Sequence, residues 1–224
     1  MARRTNDRIQ KPHLILCEGV DAENFLIRWL ESKELSIYSS AFENEIQVMD
    51  FGGNEDLPKF LKAVKTYHGY TKVSSLLVIR DAERDAKRAE QSIQSAFMGA
   101  GFSAPRYLCS WESDNSLKTG FLLFPSCNSS SREGTLEDLC LSILKENNNE
   151  TILQEIQKFL DVLKRERKRE FPHEFKSKLH TYFSVTDDFV SLKIGEAAKA
   201  GAFDWNHPRL YPLRDFLLEL FPTV

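Results

Sequence analysis

Hydrophobic and polar positions fall into two rhythms that alternate along the first half of the chain. HLILC (13–17) is a continuous apolar run that stops at Glu18-Gly19, and behind it Phe25, Leu26, Trp29 and Leu30 recur at helical spacing. This predicts a strand over about 13–17 and a helix over about 21–32. EIQVMDF (45–51) alternates with period two and stops at Gly52-Gly53. Asn54 can then cap a helix carrying Leu57, Phe60, Leu61 and Val64, with Pro58 tolerated in its first turn. VSSLLVIRD (73–81) is the most apolar run and suits a central strand buried on both faces. A third helix is predicted from about 84 to near Gly99 and Gly101. APRYLCSW (104–111) and TGFLLFP (119–125) read as two further strands joined by a short hairpin connection.

Strands alternating with helices of this length indicate an α/β fold, a mostly parallel sheet flanked by helices. After the polar loop SCNSSSREG (126–134) the pattern turns helical. The expected organisation is a flexible basic arm (1–11), an α/β domain (12–125) and a helical extension (126–224) packed on it.

Composition narrows the class. The 224 residues are 42% hydrophobic and 11% aromatic, ample for a packed core. Nothing approaches the ~18 consecutive apolar residues of a membrane span, and no apolar signal region follows the basic N-terminus. Cys17, Cys109, Cys127 and Cys140 show no metal-type spacing, so neither zinc nor a disulfide is expected and a reducing cytoplasm is. A net charge of −3 provides no global field for nucleic acid, so any such contact needs a local patch.

The candidate chemistry is acidic. Glu18 ends the first strand; Asp81 ends the third, followed by Glu83 and Asp85. In open α/β sheets ligands bind beyond the carboxyl ends of the strands. Two bare carboxylates ~4–5 Å apart repel by roughly 1–4 kcal/mol, so Glu18, Asp81 and Glu83 on one rim call for a divalent cation, and an all-oxygen set suits Mg²⁺ or Mn²⁺. The plainer reading is that Glu83, Arg84 and Asp85 cap the third helix, and it weighs most for Asp85.

CEGVDAENFL and VIRDAERD, an E-G turn after the first strand and an acid-x-acid motif after the third, resemble the toprim domain of topoisomerases, bacterial-type primases, recombination-repair proteins and overcoming-lysogenization-defect nucleases. With GTLEDLCL (134–141) and GAFDWNHPRLYPLRDFLLELF (201–221) the chain resembles small stand-alone toprim proteins of bacteria and archaea. The toprim likeness spans about residues 12–125, the fuller likeness nearly the whole chain. One departure stands out: the family's usual D-x-D reads Asp81-Ala82-Glu83. The resemblance implies a toprim, Rossmann-like fold and Mg²⁺-assisted chemistry on phosphodiesters. Asp81 and Glu83 would hold the metal, and Glu18 would be a further ligand or a general acid/base with its pKa raised by neighbouring acids. Glu137 and Asp138 would complete a second metal site, or simply favour a helix N-terminus. The chain is too short for the strand-gating domains of a topoisomerase and lacks the zinc and template regions of a primase.

Between Lys158 and Lys178 eight Lys or Arg stand against four Asp or Glu. Lys164, Arg165, Lys168 and Arg169 are therefore candidates for phosphate contact, against the alternative of a solvated helix end with i,i+4 pairs. Lys193, with Lys178 second, is the candidate cation for transition-state charge; a surface lysine with a snorkelling stem is the competing reading. FGGN reads as a tight turn before a phosphate cradle, and His207 as a turn residue. GxSxG, Walker A and GxGxxG motifs are absent. Two classes stay open: a metal-dependent nuclease, or a non-catalytic module binding nucleic acid, nucleotide or a partner protein through a metal-loaded pocket. A receiver domain with Asp81 as acceptor explains neither Glu83 nor the helical tail. Self-association remains open as well.

Overall fold

The apolar run at 13–17 forms the inner strand around which the rest of the sheet is laid. The computed structural model describes residues 8–114, 117–126, 133–144 and 149–220. In chain order, β1 (His13–Cys17) leads to α1 (Val20–Leu30), the short helices α2 (Lys33–Ser36) and α3 (Ala41–Glu45), β2 (Ile46–Asp50), α4 (Leu57–Ala63), β3 (Ser75–Asp81) and α5 (Ala86–Gly99). β4 (Trp111–Asp114) and β5 (Leu117–Phe124) follow, then α6 (Leu136–Ser142), α7 (Asn149–Arg167), α8 (Glu174–Val185), α9 (Ile194–Lys199) and α10 (Tyr211–Leu218).

The sheet order is β2-β1-β3-β5-β4. β2, β1, β3 and β5 run parallel, and β4 closes one edge antiparallel to β5. Cys17 lies opposite Asp50 and Ile79, and Asp81 opposite Phe124, so the ends of these strands share one rim. The fold is thus α/β with a mostly parallel sheet between helical layers.

Strand periodicity divides the sheet into two cores. Ile15, Cys17, Leu77, Ile79, Leu122 and Phe124 face α1 and the C-terminal helices, where Phe25, Phe183 and Phe203 meet edge-on. Leu14, Leu16, Leu76, Val78, Phe121 and Leu123 face α4 and α5. At the end of β3 the same alternation sends Asp81 to the first face and Arg80 and Ala82 to the second.

Several elements differ from the sequence reading. Residues 104–110 do not form a strand. Gln94 Nε2 donates to the carbonyls of Pro105 and Arg106 (3.0 and 3.2 Å), and Cys109 turns the chain at φ 53°. Pairing begins only at Trp111, whose indole lies over Gly120 and stacks on Phe216 at 4.5 Å. The turn after β2 is held by Asp56, which accepts from the Gly53 N–H (3.1 Å), rather than by a side-chain cap from Asn54. Part of the expected arm is tied down: the Ile9 side chain is buried in the second core, its N–H donates to His68 O, and Lys11 Nζ donates to Ile46 O. Cys17 and Cys140 are buried free thiols, but Cys109 is disulfide-bonded, against expectation. Cys127 lies outside the described residues. His207 Nδ1 accepts from the Arg209 N–H and steadies the turn before α10. Among the described residues no helix is long and apolar enough to cross a membrane.

Candidate active site at the carboxyl edge of the sheet

β1 and β3 are neighbours, yet the chain reaches β3 only after visiting β2, with α1 packed on one face of the sheet and α4 on the other. The crevice between the carboxyl ends of β1 and β3 is the switch point at which such sheets bind ligands. Gly19 makes the exit from β1 at φ 87°, a conformation glycine adopts without penalty. Asp50 pins this turn, its Oδ1 accepting from Gly19 N (2.9 Å) and Gly52 N (2.7 Å). In the sequence Asp50 is marked only as an acid ending β2 directly before Phe51-Gly52-Gly53.

Glu18 faces the α4/α5 side. Its Oε2 lies 3.5 Å from Arg80 Nε, and both side chains are largely buried, at 20% and 4% exposure. Neither atom has a well-formed hydrogen bond, so the two are held by charge across a slightly long gap. Backbone N–H groups of Asp81 and Asn54 also reach the Glu18 carboxylate. The FGGN turn therefore offers a donor to Glu18. Burial raises the Glu18 pKa most, Arg80 opposes that, and Glu83 adds a smaller push upward.

Asp81 turns to the opposite face. Its Oδ1 accepts from the Leu136 N–H at 2.9 Å, satisfying one of the unpaired donors in the first turn of α6. Burial holds its pKa well above the ordinary aspartate range, with Glu137 next and smaller contributions from Glu18 and Glu83; only the Leu136 N–H pulls it down. Glu83 sits at φ 56°, an uncommon conformation for a side chain of its size. It is clasped there by reciprocal 2.8 Å bonds between its backbone and that of Gly134. That clasp brings the start of α6 over the end of β3. Glu137 is 12% exposed and lies 3.8 Å from Lys176 Nζ.

Asp81, Glu83, Glu137 and Lys176 line one cavity of about 610 Å³, walled on the far side by residues 171–176. Asp138 also borders it, but both Asp138 contacts are spent on Thr135, at 2.8 Å to its N–H and 3.0 Å to its hydroxyl, in a capping box for α6. Asp85 caps α5 by accepting from Arg88 N (2.9 Å). Lys193 is exposed; its backbone N–H bonds Glu196 at the start of α9, and it is not among the residues lining the cavity. Lys178 lies near Glu174 rather than in the cavity wall. Lys176, two residues from Lys178 in FKSK, is the lysine facing the acids and was missed.

Among the described residues no three His, Cys, Asp or Glu gather closely enough to hold a metal ion by themselves. Mg²⁺ does not require such a cage, since it keeps several waters and is often bound by one or two carboxylates plus substrate phosphates. The mutual repulsion that raises the Asp81 pKa, with Glu137 its main electrostatic source, is relieved by a cation. Asp81 and Glu137, its strongest electrostatic neighbour, would be the one or two carboxylates of such an open Mg²⁺ or Mn²⁺ site.

Beside the acid cavity runs a groove of about 650 Å³ lined by Arg84, Lys164, Lys168 and Arg169, with Glu170 the acid in its wall. Arg84, Phe171 and Pro172 border both spaces. Arg84 ties them together by donating to Pro172 O (3.1 Å). The four candidate phosphate contacts separate here. Lys164 is paired with Glu174 (2.6 Å) and Asp161 (3.7 Å), and Arg165 with Glu166 (3.4 Å). Lys168 and Arg169 have no ion-pair partner among the described residues.

Residues 12–222 match the DUF3226 family, described as a protein of unknown function. No curated protein and no solved structure matches the chain.

Proposed function

The chain belongs to the DUF3226 family, and we propose for it Mg²⁺- or Mn²⁺-dependent phosphodiester chemistry on nucleic acid, as a nuclease-like protein of toprim type. One observation carries the reading: a cavity of crowded carboxylates shares Arg84, Phe171 and Pro172 as a common border with a groove whose charged side chains are mainly cationic. Anionic polymer and divalent cation are the pair of ligands that such neighbouring fields of opposite sign attract. The toprim assignment is supported by Glu18-Gly19 at the end of β1 and Asp81-Ala82-Glu83 at the end of the adjacent β3.

In this reading Asp81 and Glu137 would hold the cation, its other positions left to water and phosphate oxygens, and when bound it would neutralise charge on a phosphoryl oxygen. Glu18 is not among the residues lining the acid cavity; on the α4/α5 face its carboxylate is held by Arg80 and the Asn54 and Asp81 N–H groups, so the proton-exchange role expected of it would need the chain to bring substrate to that face. Lys176 supplies a protein cation for negative charge on the reacting oxygens. Asp85 and Asp138 hold the starts of α5 and α6 and thereby position Glu83 and Glu137.

A non-catalytic binding module is the second reading, favoured by the Glu18–Arg80 pair, which engages the acid that chemistry would need free. One experiment separates the two. Purified protein is incubated with single- and double-stranded DNA and RNA, with Mg²⁺, Mn²⁺ or a chelator, beside Asp81→Asn. Metal-dependent cleavage lost in the variant supports the enzyme. Binding without cleavage supports the module, and neither binding nor cleavage overturns both.

A further inference from the structure

Phe175, in the first turn of α8, is 52% exposed and lines the acid cavity; Phe171, partly buried, borders both cavity and groove. Phe25, Phe97, Phe183 and Phe203 meet ring partners inside the cores, and Phe159, as exposed at 54%, is not among the residues lining the cavity or the groove. Phe175 instead presents apolar surface to water on a concave wall between crowded acids and cations. We propose that the ligand of this site is a single-stranded nucleic acid, with backbone phosphates along Arg84, Lys168 and Arg169 and an unpaired base stacked on Phe175. The inference rests on the phosphodiester reading and adds to it the strandedness of the substrate.

Base faces in a duplex are hidden in the stack, so an aromatic wall offers a duplex nothing, whereas every unpaired base has a face to give it. A cavity of about 610 Å³ is of the size that houses a small ligand; an unpaired nucleotide can enter it and a double helix cannot. A cationic groove tracking the backbone beside an aromatic platform is the combination by which proteins hold single strands without sequence preference. The overall charge of −3 leaves the binding to this local patch.

The test is fluorescence anisotropy in chelator with labelled oligothymidine, the oligouridine of equal length, and a duplex of that length. Chelator keeps binding separate from chemistry. The expected result is at least roughly tenfold tighter binding of a single strand than of the duplex, a loss of roughly tenfold in Phe175→Ala, and retention in Phe175→Trp. The DNA and RNA arms show which sugar is preferred. Because Phe175 is half exposed, the alanine variant is expected to fold, and circular dichroism checks it. Equal binding of duplex and single strand, or unchanged affinity in Phe175→Ala, overturns the inference. Metal-dependent cleavage without single-strand preference overturns it while leaving the phosphodiester reading intact. Phe175-dependent single-strand binding without cleavage under any metal upholds it and overturns only the chemistry.

Discussion

Replacing Asp81 by Asn separates the electrostatic role of this side chain from its structural one. Asn keeps an oxygen for the Leu136 N–H, 2.9 Å away. The bond falls from charge-assisted to neutral, a loss of about 1 kcal/mol. Against this, the variant no longer buries a carboxylate beside Glu137, Glu18 and Glu83, a desolvation penalty worth several kcal/mol per ion in general. The expected net effect without metal at neutral pH is stabilisation of about 1 kcal/mol, or roughly 2–4 °C in a chain of this size. The pH dependence has a definite sign. A carboxyl whose pKa is raised by folding holds its proton more tightly in the folded state. Its favourable contribution is whole below the ordinary aspartate range and is lost as pH rises through that range toward the raised folded value. The advantage of Asp81→Asn over the wild type should therefore vanish in acid and grow toward neutrality. Asp81→Ala should be about 1–3 kcal/mol less stable than Asp81→Asn, because it leaves the Leu136 N–H unpaired. Mg²⁺ at a hundred times its dissociation constant should add about 2.7 kcal/mol to the wild type and nothing to either variant. Urea denaturation at two pH values, with and without Mg²⁺, measures all of these. An Asp81→Asn protein less stable than wild type at neutral pH without metal would refute the claim that repulsion and burial dominate at this residue.

Other expectations follow from the same geometry. Lys176→Ala should lower metal-dependent turnover by roughly 10²-fold, the lower end of what removing one charge-stabilising donor does, while Lys193→Ala leaves it unchanged; the reverse ranking in steady-state kinetics would restore Lys193. Reversing Lys168 and Arg169 to Glu should flatten the salt dependence of single-strand binding, with log K against log salt shallower by roughly 1.4, about 0.7 for each lost phosphate contact. Arg165→Glu should leave that slope alone, and a titration of affinity against salt decides between them. A Cβ on Gly195 would stand 2.3 Å from Asn24 Cβ where α9 crosses α1; Gly195→Ala should cost roughly 1–3 kcal/mol by thermal or urea unfolding, and a change within error would mean the two helices slide apart freely.

The chain's own pattern sufficed for the inner strands and their acids. Continuous apolar runs at 13–17 and 73–81 suit strands buried on both faces, the habit of a parallel sheet covered by helices, and an acid at the end of each marks the rim they share. Local rhythm failed where a residue's partner lay elsewhere. The apolar stretch 104–110 reads as a strand, but Gln94 of α5 draws its carbonyls away, and Trp111 finds its stacking partner in α10. Which face a rim residue takes was likewise beyond the sequence: one position along β3 separates Arg80, turned toward Glu18, from Asp81, turned toward α6. That sidedness is fixed by the register of β1 against β3 and by the helix that packs over each face. Lys176 and Phe175 were illegible for the same reason, since a helix period reveals which positions share a face but not what that face meets. Periodicity is a property of neighbouring residues and is written in the chain. The pairing of Glu137 with Lys176, and of the acid cavity with the cationic groove, exists only once α6, α7 and α8 have packed against the sheet.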